Sequence, residues 1–404
     1  MAADPALPAY CTNVVAGRTL AQTRERVASV FGAVRERIAP GGVLPLGLWL
    51  SARAAAQLAE TPGGARSLRD ELAARGLAVR TLNAFPYHDF HGASVKRGVY
   101  SPNWADTRRL LYTTTLAELL PELLPAGARD ASISTLPLGW RPEFALAGGG
   151  ASLGLASSML AQLVQHLARV EERTGVRVHV DLEPEPGCTL DRAEDAAAFL
   201  THALPRRAGT PDPRRYIGIC HDVCHSAVMF EEQSHALRIY RDAGVRVGKV
   251  QVSSAPVADG SPESIAVLAA FAEPRYLHQT SVRGADSRFF EDLPDALAQH
   301  PAGEWRTHFH VPVFAPRLGA LGTTRGAIEE CIAEIARWPA AERPAFEVET
   351  YAWDVLPEGV EAGEAVATPG ASGDARLAAG IAQELRWVRE RLAAAHIAAF
   401  PEAA

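Results

Sequence analysis

The feature that most limits what this chain can fold into is a regular alternation of short apolar runs with longer amphipathic stretches. Each run is rich in β-branched residues and ends in polar residues, Gly or Pro, which is typical of buried strands. The longer stretches, such as 104–122, 154–174 and 325–337, carry apolar residues three and four apart, which predicts helices. Strands that alternate with helices predict a parallel sheet.

Eight such runs predict eight strands, at 44–51, 79–86, 131–139, 176–185, 217–225, 247–254, 308–314 and 346–353. Eight units favour a closed (β/α)₈ barrel over an open doubly wound sheet, because no G-x-G-x-x-G motif opens the first helix. We therefore predict a single barrel domain over residues 1–404, with the core barrel at about 40–360. Extra helices are expected at 18–38 and at about 374–398.

Composition and charge exclude several classes of protein. The chain has 40 Lys and Arg against 47 Asp and Glu, a formal charge of −7, and no long basic run, so no nucleic-acid partner is expected. Five cysteines in 404 residues make no disulfide framework, which favours the cytoplasm. The N-terminus lacks the pattern of a signal peptide, and no stretch reaches the roughly 18 apolar residues of a membrane span.

Polar side chains stand at nearly every predicted strand end. In (β/α)₈ barrels the reactive groups come from the carboxyl ends of the strands and from the loops that follow them. Packing alone would place Val, Ile and Leu at these positions, so the pattern predicts a functional site. The side chains concerned are Asn83, His88, His91, Glu183, Glu185, His221, Asp222, His225, Gln251, His308, His310, Glu347 and Glu349.

Carboxylates and imidazoles that share one barrel mouth indicate a divalent metal ion. Buried charges are costly unless they are paired or bound to a metal. Asp222 and His225 follow a predicted strand three residues apart, so they can converge as oxygen and nitrogen ligands. Mixed oxygen and nitrogen donors suit Mn²⁺, Zn²⁺ or Co²⁺. The alternative interpretation of Asp222 is a helix N-cap.

Four further histidines are candidates for substrate binding. His308 and His310 alternate in sequence, which places both on one face of the predicted strand, either in the site or in a core or lid. His88 and His91 lie in an aromatic loop that contains Gly and could close over a small ligand or simply pack on the surface.

Few Lys and Arg side chains lie near the predicted site. Lys249 precedes Gln251 by two residues, so alternation points both side chains the same way. Lys249 could therefore hold an enolate oxygen or a phosphate, or it could form a salt bridge with a ligand carboxylate. Arg283 is a further candidate for binding a phosphate or carboxylate of the substrate.

Several strings along residues 8–357 resemble one known group of proteins. The strings are YCTNV, FPYHDFHG, VKRGVYSPNW, STLPLGW, DLEPEPG, HDVCHSAVMFE, VQVSSA, HFHVPVF and VETYAWDVLP. The resemblance is to the xylose isomerase-like TIM barrels and, within them, to the EboE-type metabolite-traffic proteins. That superfamily contains sugar isomerases, ketose 3-epimerases and the endonuclease IV type of DNA repair enzyme.

The resemblance implies a set of metal ligands formed by Glu183, Asp222, Gln251 and Glu349, with His225 beside them. Related epimerases usually carry a His where this chain has Gln251, and His278 or His310 is the alternative source of that imidazole. The resemblance also implies that the two glutamates move a proton on opposite faces of the substrate carbon. The metal would polarise the carbonyl and stabilise an enediolate.

Three functions follow as expectations. The first is a metal-dependent isomerase or epimerase that acts on a small polyhydroxylated carbonyl compound, sugar-derived or a cyclitol, in an EboE-type pathway. The second is a hydrolase of the endonuclease IV type, and the third is a non-catalytic metabolite carrier. A homo-oligomer is left open. The expected catalytic residues are Glu183, Glu349 and Lys249, and the expected substrate-binding residues are Asn83, His88, His91, His278, Arg283, His308 and His310.

Overall fold

The computed structural model describes residues 4–15, 17–92, 94–146, 150–204, 209–357 and 373–400. The strands in this part of the chain are β1 (Ala9–Cys11), β2 (Leu44–Trp49), β3 (Leu77–Asn83), β4 (Asp130–Thr135), β5 (Arg177–Leu182), β6 (Ile217–Asp222), β7 (Val247–Val252), β8 (Pro256–Ala258), β9 (Thr280–Arg283), β10 (Arg288–Phe290), β11 (Glu304–Thr307), β12 (Arg317–Leu318), β13 (Leu321–Thr323) and β14 (Ala345–Val348).

Eight of these strands close into a barrel in the order β1, β14, β7, β6, β5, β4, β3, β2, with every neighbouring pair parallel. The predicted (β/α)₈ barrel is therefore confirmed. Strands such as β2 and β7 are buried along their whole length, because side chains fill the interior and helices cover the outside.

The helices are α1 (Leu20–Ile38), α2 (Ala52–Glu60), α3 (Gly64–Ala73), α4 (Thr107–Leu123), α5 (Arg141–Leu146), α6 (Gly150–Thr174), α7 (Ala193–Ala198), α8 (Pro213–Tyr216), α9 (Val223–Val228), α10 (Gln233–Asp242), α11 (Pro262–Ala269), α12 (Leu293–Gln299), α13 (Arg325–Ala336) and α14 (Gly373–Ala394). The predicted helices at both ends of the chain are α1 and α14, which pack against each other. None of the helices in the described ranges combines the length and the apolar character that a membrane-spanning segment needs.

One of the eight predicted strands is wrong. Residues 308–314 form irregular chain, and the eighth position of the ring is taken by β1, which pairs with β14 and β2. The barrel therefore starts at Ala9 and not near residue 40. The irregular segment still satisfies its backbone, because the N–H of His308 donates to Gln279 O at 2.8 Å and that of Val311 to Ser254 O at 2.9 Å.

A six-stranded antiparallel sheet between β7 and β14 was not predicted. Its strands lie in the order β10, β9, β11, β8, β13, β12. The chain that leaves β11 carries His308 and His310 to the carboxyl ends of the barrel strands, where they meet His225 of α9. The inserted sheet therefore supplies side chains to the barrel mouth.

The C-terminal helix is tied to the mouth by the buried Glu384 of α14. Its carboxylate accepts hydrogen bonds from Tyr10 Oη and Thr350 Oγ1, both at 2.6 Å, and from the backbone N–H of Val313 and the indole N–H of Trp353, both at 3.1 Å. These donors belong to β1, to the chain after β14 and to the chain after His310. Glu384 therefore fixes three segments that border the site.

Polar groups occupy part of the barrel interior, and glycines make room for them. A Cβ on Gly47 would lie 2.1 Å from Glu347 Oε2, and a Cβ on Gly248 would lie 2.4 Å from Asp181 Oδ2. Both distances are far shorter than atoms can approach without bonding. Glycine is therefore required opposite these two buried carboxylates.

Candidate functional site

A pocket opens at the carboxyl ends of the barrel strands. This is where (β/α)₈ barrels place their reactive groups. The polar side chains that line it are Asn13, Asn83, Lys96, Glu183, Glu185, His225, His308, His310 and Glu349, together with the hydroxyl-bearing Tyr100, Tyr276 and Tyr351. The ends of five barrel strands, β1, β3, β5, β6 and β14, and the inserted sheet thus contribute to one cavity.

Three carboxylates converge at this pocket: Glu183 and Glu349 line it, and Asp222 lies beside them without lining it. Glu183 follows β5, Asp222 ends β6 and Glu349 follows β14, so parallel strands bring the three together at one rim. One oxygen of each lies within 4.8 Å of the others, and each residue is at most 5% exposed. Three carboxylates at this spacing repel one another unless a cation or protons intervene.

Several buried atoms around the carboxylates lack a hydrogen-bond partner in the described part of the chain. They are Glu183 Oε2, Asp222 Oδ2, His310 Nε2 and both polar side-chain atoms of Gln251. Gln251 lies beside Asp222 in the register of β6 and β7. Buried polar atoms are nearly always satisfied, so the unpartnered oxygens of Glu183 and Asp222, within the group of three carboxylates, fit a divalent cation.

Asp222 serves as a helix N-cap and still keeps one oxygen free. Its Oδ1 accepts from the backbone N–H of His225 at 2.9 Å and from Ser253 Oγ at 2.7 Å, while its Oδ2 points to His310 Nε2 at 3.8 Å. The two interpretations of this residue are therefore compatible. The cap fixes the carboxylate, and the free oxygen remains available as a ligand.

Two asparagines orient Glu349. Asn13 Nδ2 donates to Glu349 Oε1 at 2.6 Å, and Asn83 Nδ2 donates to the same oxygen at 3.0 Å. Burial and the nearby Asp222 raise the pKa of Glu349 to about 8. Burial and Glu349 raise the pKa of Glu183 well above its usual value. Without a metal ion, this cluster therefore holds protons at neutral pH.

The tautomers of three histidines leave lone pairs facing one another. His225 Nδ1 donates to Pro184 O at 3.0 Å, His308 Nδ1 to Gln279 Oε1 at 2.9 Å, and His310 Nδ1 to Glu349 O at 2.7 Å. Each Nε2 is then an acceptor in the neutral ring. His225 Nε2 and His308 Nε2 lie only 3.1 Å apart, so a proton or a cation has to lie between them.

Two of these imidazoles are held neutral. Burial and the neighbouring His225 lower the pKa of His308 well below its usual value. Burial lowers the pKa of His310 to about 4, against the opposing effect of Asp222. Neutral imidazole is the form that binds metals.

A second group of possible ligands lies beside the carboxylates. Glu185, His225 and His308 offer ligand atoms within 4.8 Å of one another, and so do Asp222, His225 and His310. Glu185 is fixed by Tyr100 Oη at 2.7 Å and by Gln279 Nε2 at 3.1 Å. Asp222 therefore belongs both to the group of three carboxylates and to the group with His225 and His310. His225 belongs to both groups that contain histidines, so the possible metal positions are adjacent.

Some predicted residues lie outside the pocket lining. His88 is exposed and packs on Tyr87. His91 Nε2 donates to Asn13 O at 2.6 Å, so it supports a residue that holds Glu349. His278 Nδ1 donates to His308 O at 3.2 Å and supports the histidine segment from behind.

The two predicted cations also lie elsewhere. Lys249 is buried in the barrel beneath the carboxylates, where its Nζ donates to Glu347 Oε1 at 3.2 Å. The guanidinium of Arg283 stacks on Phe230, 4.3 Å from the ring centroid. Neither side chain lines the pocket.

Other residues at the site were not named as candidates from the sequence. Asn13 follows β1 directly, and its strand-end position is the signal that could have identified it. Tyr100 and Gln279 meet Glu185 only because the fold brings a loop and the inserted sheet together. Tyr351 Oη lies 3.4 Å from His308 Nε2 and stands two residues after Glu349.

No protein-family model matches the sequence, and no curated protein sequence is similar to it. Solved structures are similar. A xylose isomerase-like TIM barrel protein from Mycobacterium smegmatis, in complex with magnesium, has a TM-score of 0.51 at 12% identity and covers 98% of this chain and 99% of its own.

Two further solved structures are less similar. A xylose isomerase domain protein from Planctomyces limnophilus has a TM-score of 0.45 at 14% identity, over 87% of this chain and 89% of that chain. A D-tagatose 3-epimerase-like protein has a TM-score of 0.38 at 15% identity, over 61% and 75%. With its closed parallel ring and its similarity to the mycobacterial protein, the chain has the fold of the xylose isomerase-like TIM barrels.

Proposed function

We propose that the protein is a metal-dependent isomerase or epimerase that moves a proton at the carbon beside a carbonyl group. The observation that carries this proposal is the cluster of Glu183, Asp222 and Glu349, whose oxygens lie within 4.8 Å of one another and are incompletely hydrogen-bonded. A carbonyl compound with several hydroxyl groups offers the oxygens that such a centre binds.

Glu183 and Glu349 would act both as metal ligands and as proton-transfer groups, whereas Asp222 would act as a ligand alone. Glu183, Asp222 and Glu349 would hold the ion, with the carbonyl oxygen of Gln251 and His310 Nε2 as the nearest additional donors. Mn²⁺, Zn²⁺ and Co²⁺ suit these mixed donors. When bound, the ion would polarise the substrate carbonyl and make the adjacent C–H more acidic.

Glu349 and Glu183 are the groups suited to taking and returning the proton. Both carboxylates line the pocket, where a bound substrate would contact them. Asn13 and Asn83 both donate to one oxygen of Glu349, which leaves the other oxygen for the substrate. Glu183 Oε2 has no hydrogen-bond partner among the described residues.

A second candidate function is metal-dependent hydrolysis of the endonuclease IV type. It is favoured by the histidine-rich group of Glu185, His225 and His308, which could hold another ion beside the first. Two adjacent ions can stabilise both the attacking and the leaving oxygen of a displacement. The number of ions per chain therefore separates the two chemistries.

The strings that resemble EboE-type proteins support a place in a specialised metabolite pathway. They also keep a third function open, in which the pocket carries a metabolite without reacting with it. A carrier needs shape and hydrogen bonds but has no need of bound metal. The same metal measurement therefore tests this function as well.

The deciding experiment measures metal content by plasma mass spectrometry on protein purified without a tag or chelator. About one Mn, Zn or Co per chain is expected for the isomerase, lost in Asp222→Ala and kept in Asp242→Ala, an exposed aspartate of α10. Two or three ions per chain favour the hydrolase. No metal in the unsubstituted protein favours the carrier.

Turnover is tested by exchange of substrate C–H protons with deuterated solvent across ketoses and cyclitols. Exchange is expected with the metal-loaded protein and should be lost in Glu349→Gln. A metal-loaded protein that exchanges no proton with any member of the panel contradicts the proposal.

A further inference from the structure

We propose that the substrate joins its hydroxy-carbonyl head to an uncharged apolar body, which lies in the upper part of the pocket. The inference rests on the proposed function only for the position of the head, at the three carboxylates. It narrows the substrate class from sugars in general to compounds that are polar at one end and apolar at the other.

The first observation is the composition of the pocket wall. Polar groups are concentrated on the floor, around Glu183 and Glu349, while apolar and aromatic side chains form the rest of the lining. The wall residues are Phe85, Phe90, Val95, Val99, Tyr276 and Leu277. Hydroxyl groups placed against such a wall would lose their water and find few partners, which costs free energy. An apolar group in the same place would be stabilised by burial.

The second observation is a continuous aromatic surface that begins at the floor. Phe90, Tyr276 and Tyr351 contact one another with all three ring centroids 5.1 Å apart. Tyr351 also packs against His310, with 4.6 Å between their centroids. If the polar head of a ligand reaches His310, the atoms that follow the head therefore lie against these aromatic rings.

The third observation is the charge of the lining. Lys96 is the one cationic residue that lines the described pocket, and its Nζ is already 2.5 Å from Asp292 Oδ2. Glu183, Glu185 and Glu349 contribute carboxylates to the floor. A phosphate or carboxylate on the substrate body would find in this lining only the cation of Lys96, which Asp292 already pairs. The substrate body is therefore uncharged.

The test uses open-chain ketones that share one head. The probes are 1-hydroxy-2-butanone, 1-hydroxy-2-hexanone and 1-hydroxy-2-octanone, compared with erythrulose, which has hydroxyl groups in place of the apolar tail. Dissociation constants are measured by titration calorimetry on the metal-loaded protein. Affinity should rise by about fourfold for each added methylene until the wall is covered, and erythrulose should bind more weakly than 1-hydroxy-2-butanone.

A pair of matched substitutions locates the effect. Val99→Thr replaces one methyl group of the half-buried wall residue with a hydroxyl of the same shape, and it should reduce the gain in affinity per methylene. Val267→Thr makes the same change at a half-buried position of α11 outside the pocket and should leave the gain unchanged. The comparison of the three ketones in the unsubstituted protein tests the proposal even if a variant folds poorly.

The outcomes separate this inference from the proposed function. If affinity does not rise with tail length, or if erythrulose binds more tightly than the alkyl ketones, the substrate has no apolar body. That conclusion holds even where proton exchange proceeds. If the alkyl series binds with the expected gain but no ketone exchanges a proton, the proposed reaction fails and the substrate class stands.

Discussion

Lys249 Nζ lies 3.2 Å from Glu347 Oε1 inside the barrel, and neither side chain has any exposure to solvent. Lys249 also donates to Ser134 Oγ at 2.9 Å, and Thr81 Oγ1 donates to the other oxygen of Glu347. Burial alone would lower the pKa of Lys249, but Glu347 and other buried groups raise it, so the ammonium stays charged. The two charges therefore depend on each other for their burial.

Removing one partner of this pair should destabilise the protein strongly. Lys249→Met leaves the Glu347 carboxylate buried without its cation, and the free energy of unfolding should fall by about 3–5 kcal/mol in urea denaturation. Lys249→Met with Glu347→Gln removes both charges and should recover most of that loss. A single variant as stable as the unsubstituted protein would contradict the structural role of the pair.

The double variant also decides whether Lys249 acts in catalysis. Lys249 lies beneath the pocket, so the folded double variant should keep its proton-exchange activity with solvent. Loss of exchange in a double variant of normal stability and metal content would instead assign Lys249 a catalytic role.

Metal binding should release a proton near neutral pH. Burial and Asp222 raise the pKa of Glu349 to about 8 in the metal-free site, so this carboxyl group is mostly protonated at pH 7 and must ionise to bind a cation. Metal affinity should therefore rise with pH up to about 8 and then level off. Calorimetric titration with Mn²⁺ in buffers of different ionisation enthalpy measures the release, and a heat that is independent of buffer would contradict it.

His310 should matter for metal binding and His88 should not. His310 Nε2 lies 3.8 Å from Asp222 Oδ2 and has no hydrogen-bond partner among the described residues, whereas His88 is exposed and outside the pocket. His310→Ala should weaken metal binding by about 10- to 100-fold, and His88→Ala serves as the control. Competition with a chromogenic chelator measures both, and equal affinities in the two variants would exclude His310 from the site.

Glu384 should make stability depend on pH. Burial raises its pKa from 4.5 to about 7, so the folded state binds this proton more tightly than the unfolded state does. The protonated Glu384 therefore adds roughly 3 kcal/mol to the free energy of unfolding. This contribution is fully present below pH 4.5 and is lost as pH rises through 7.

The control for that prediction is Glu384→Gln, which resembles the protonated acid and cannot titrate. Urea denaturation across pH 4 to 9 should show the unsubstituted protein losing stability relative to this variant as pH rises. If the two proteins differ in free energy of unfolding by the same amount at every pH from 4 to 9, Glu384 does not titrate as expected.

The sequence predicts the barrel where its apolar runs are long. Strands such as β5 and β6 have six residues each and stand out, but β1 has only the three residues Ala9–Cys11, too few for a recognisable pattern. Because β1 was missed, Asn13 was not seen to follow a strand. The error therefore carried from the fold to the site.

The segment 308–314 shows that alternation does not require strand pairing. His308 and His310 face the pocket, while Phe309 between them packs against Phe271 with 4.9 Å between ring centroids. The predicted orientation of the two histidines agrees with the structure, although the predicted strand is wrong. Alternation reports two different environments on the two sides of an extended chain.

Depth along the barrel axis is a further quantity that local patterns do not give. Lys249 and Gln251 do share the interior face of β7, as alternation predicts, but two residues of strand separate them by about 6 to 7 Å. In the register of β7 and β14, Lys249 stands opposite Ala345 and Gln251 opposite Glu347, so Lys249 Nζ reaches Glu347 diagonally across the two strands. The pairing depends on register between strands that are distant in sequence.

Ring closure joins strands that are far apart in the sequence, because β1 starts at Ala9 and pairs with β14, which starts only at Ala345. During synthesis, seven strands can emerge while the eighth is still missing, and with it Glu349 and the helix that carries Glu384. A nascent or truncated chain therefore has an open sheet edge where the finished protein has a pocket floor. The three carboxylates of the site therefore come together only after β14 has paired with β7 and β1.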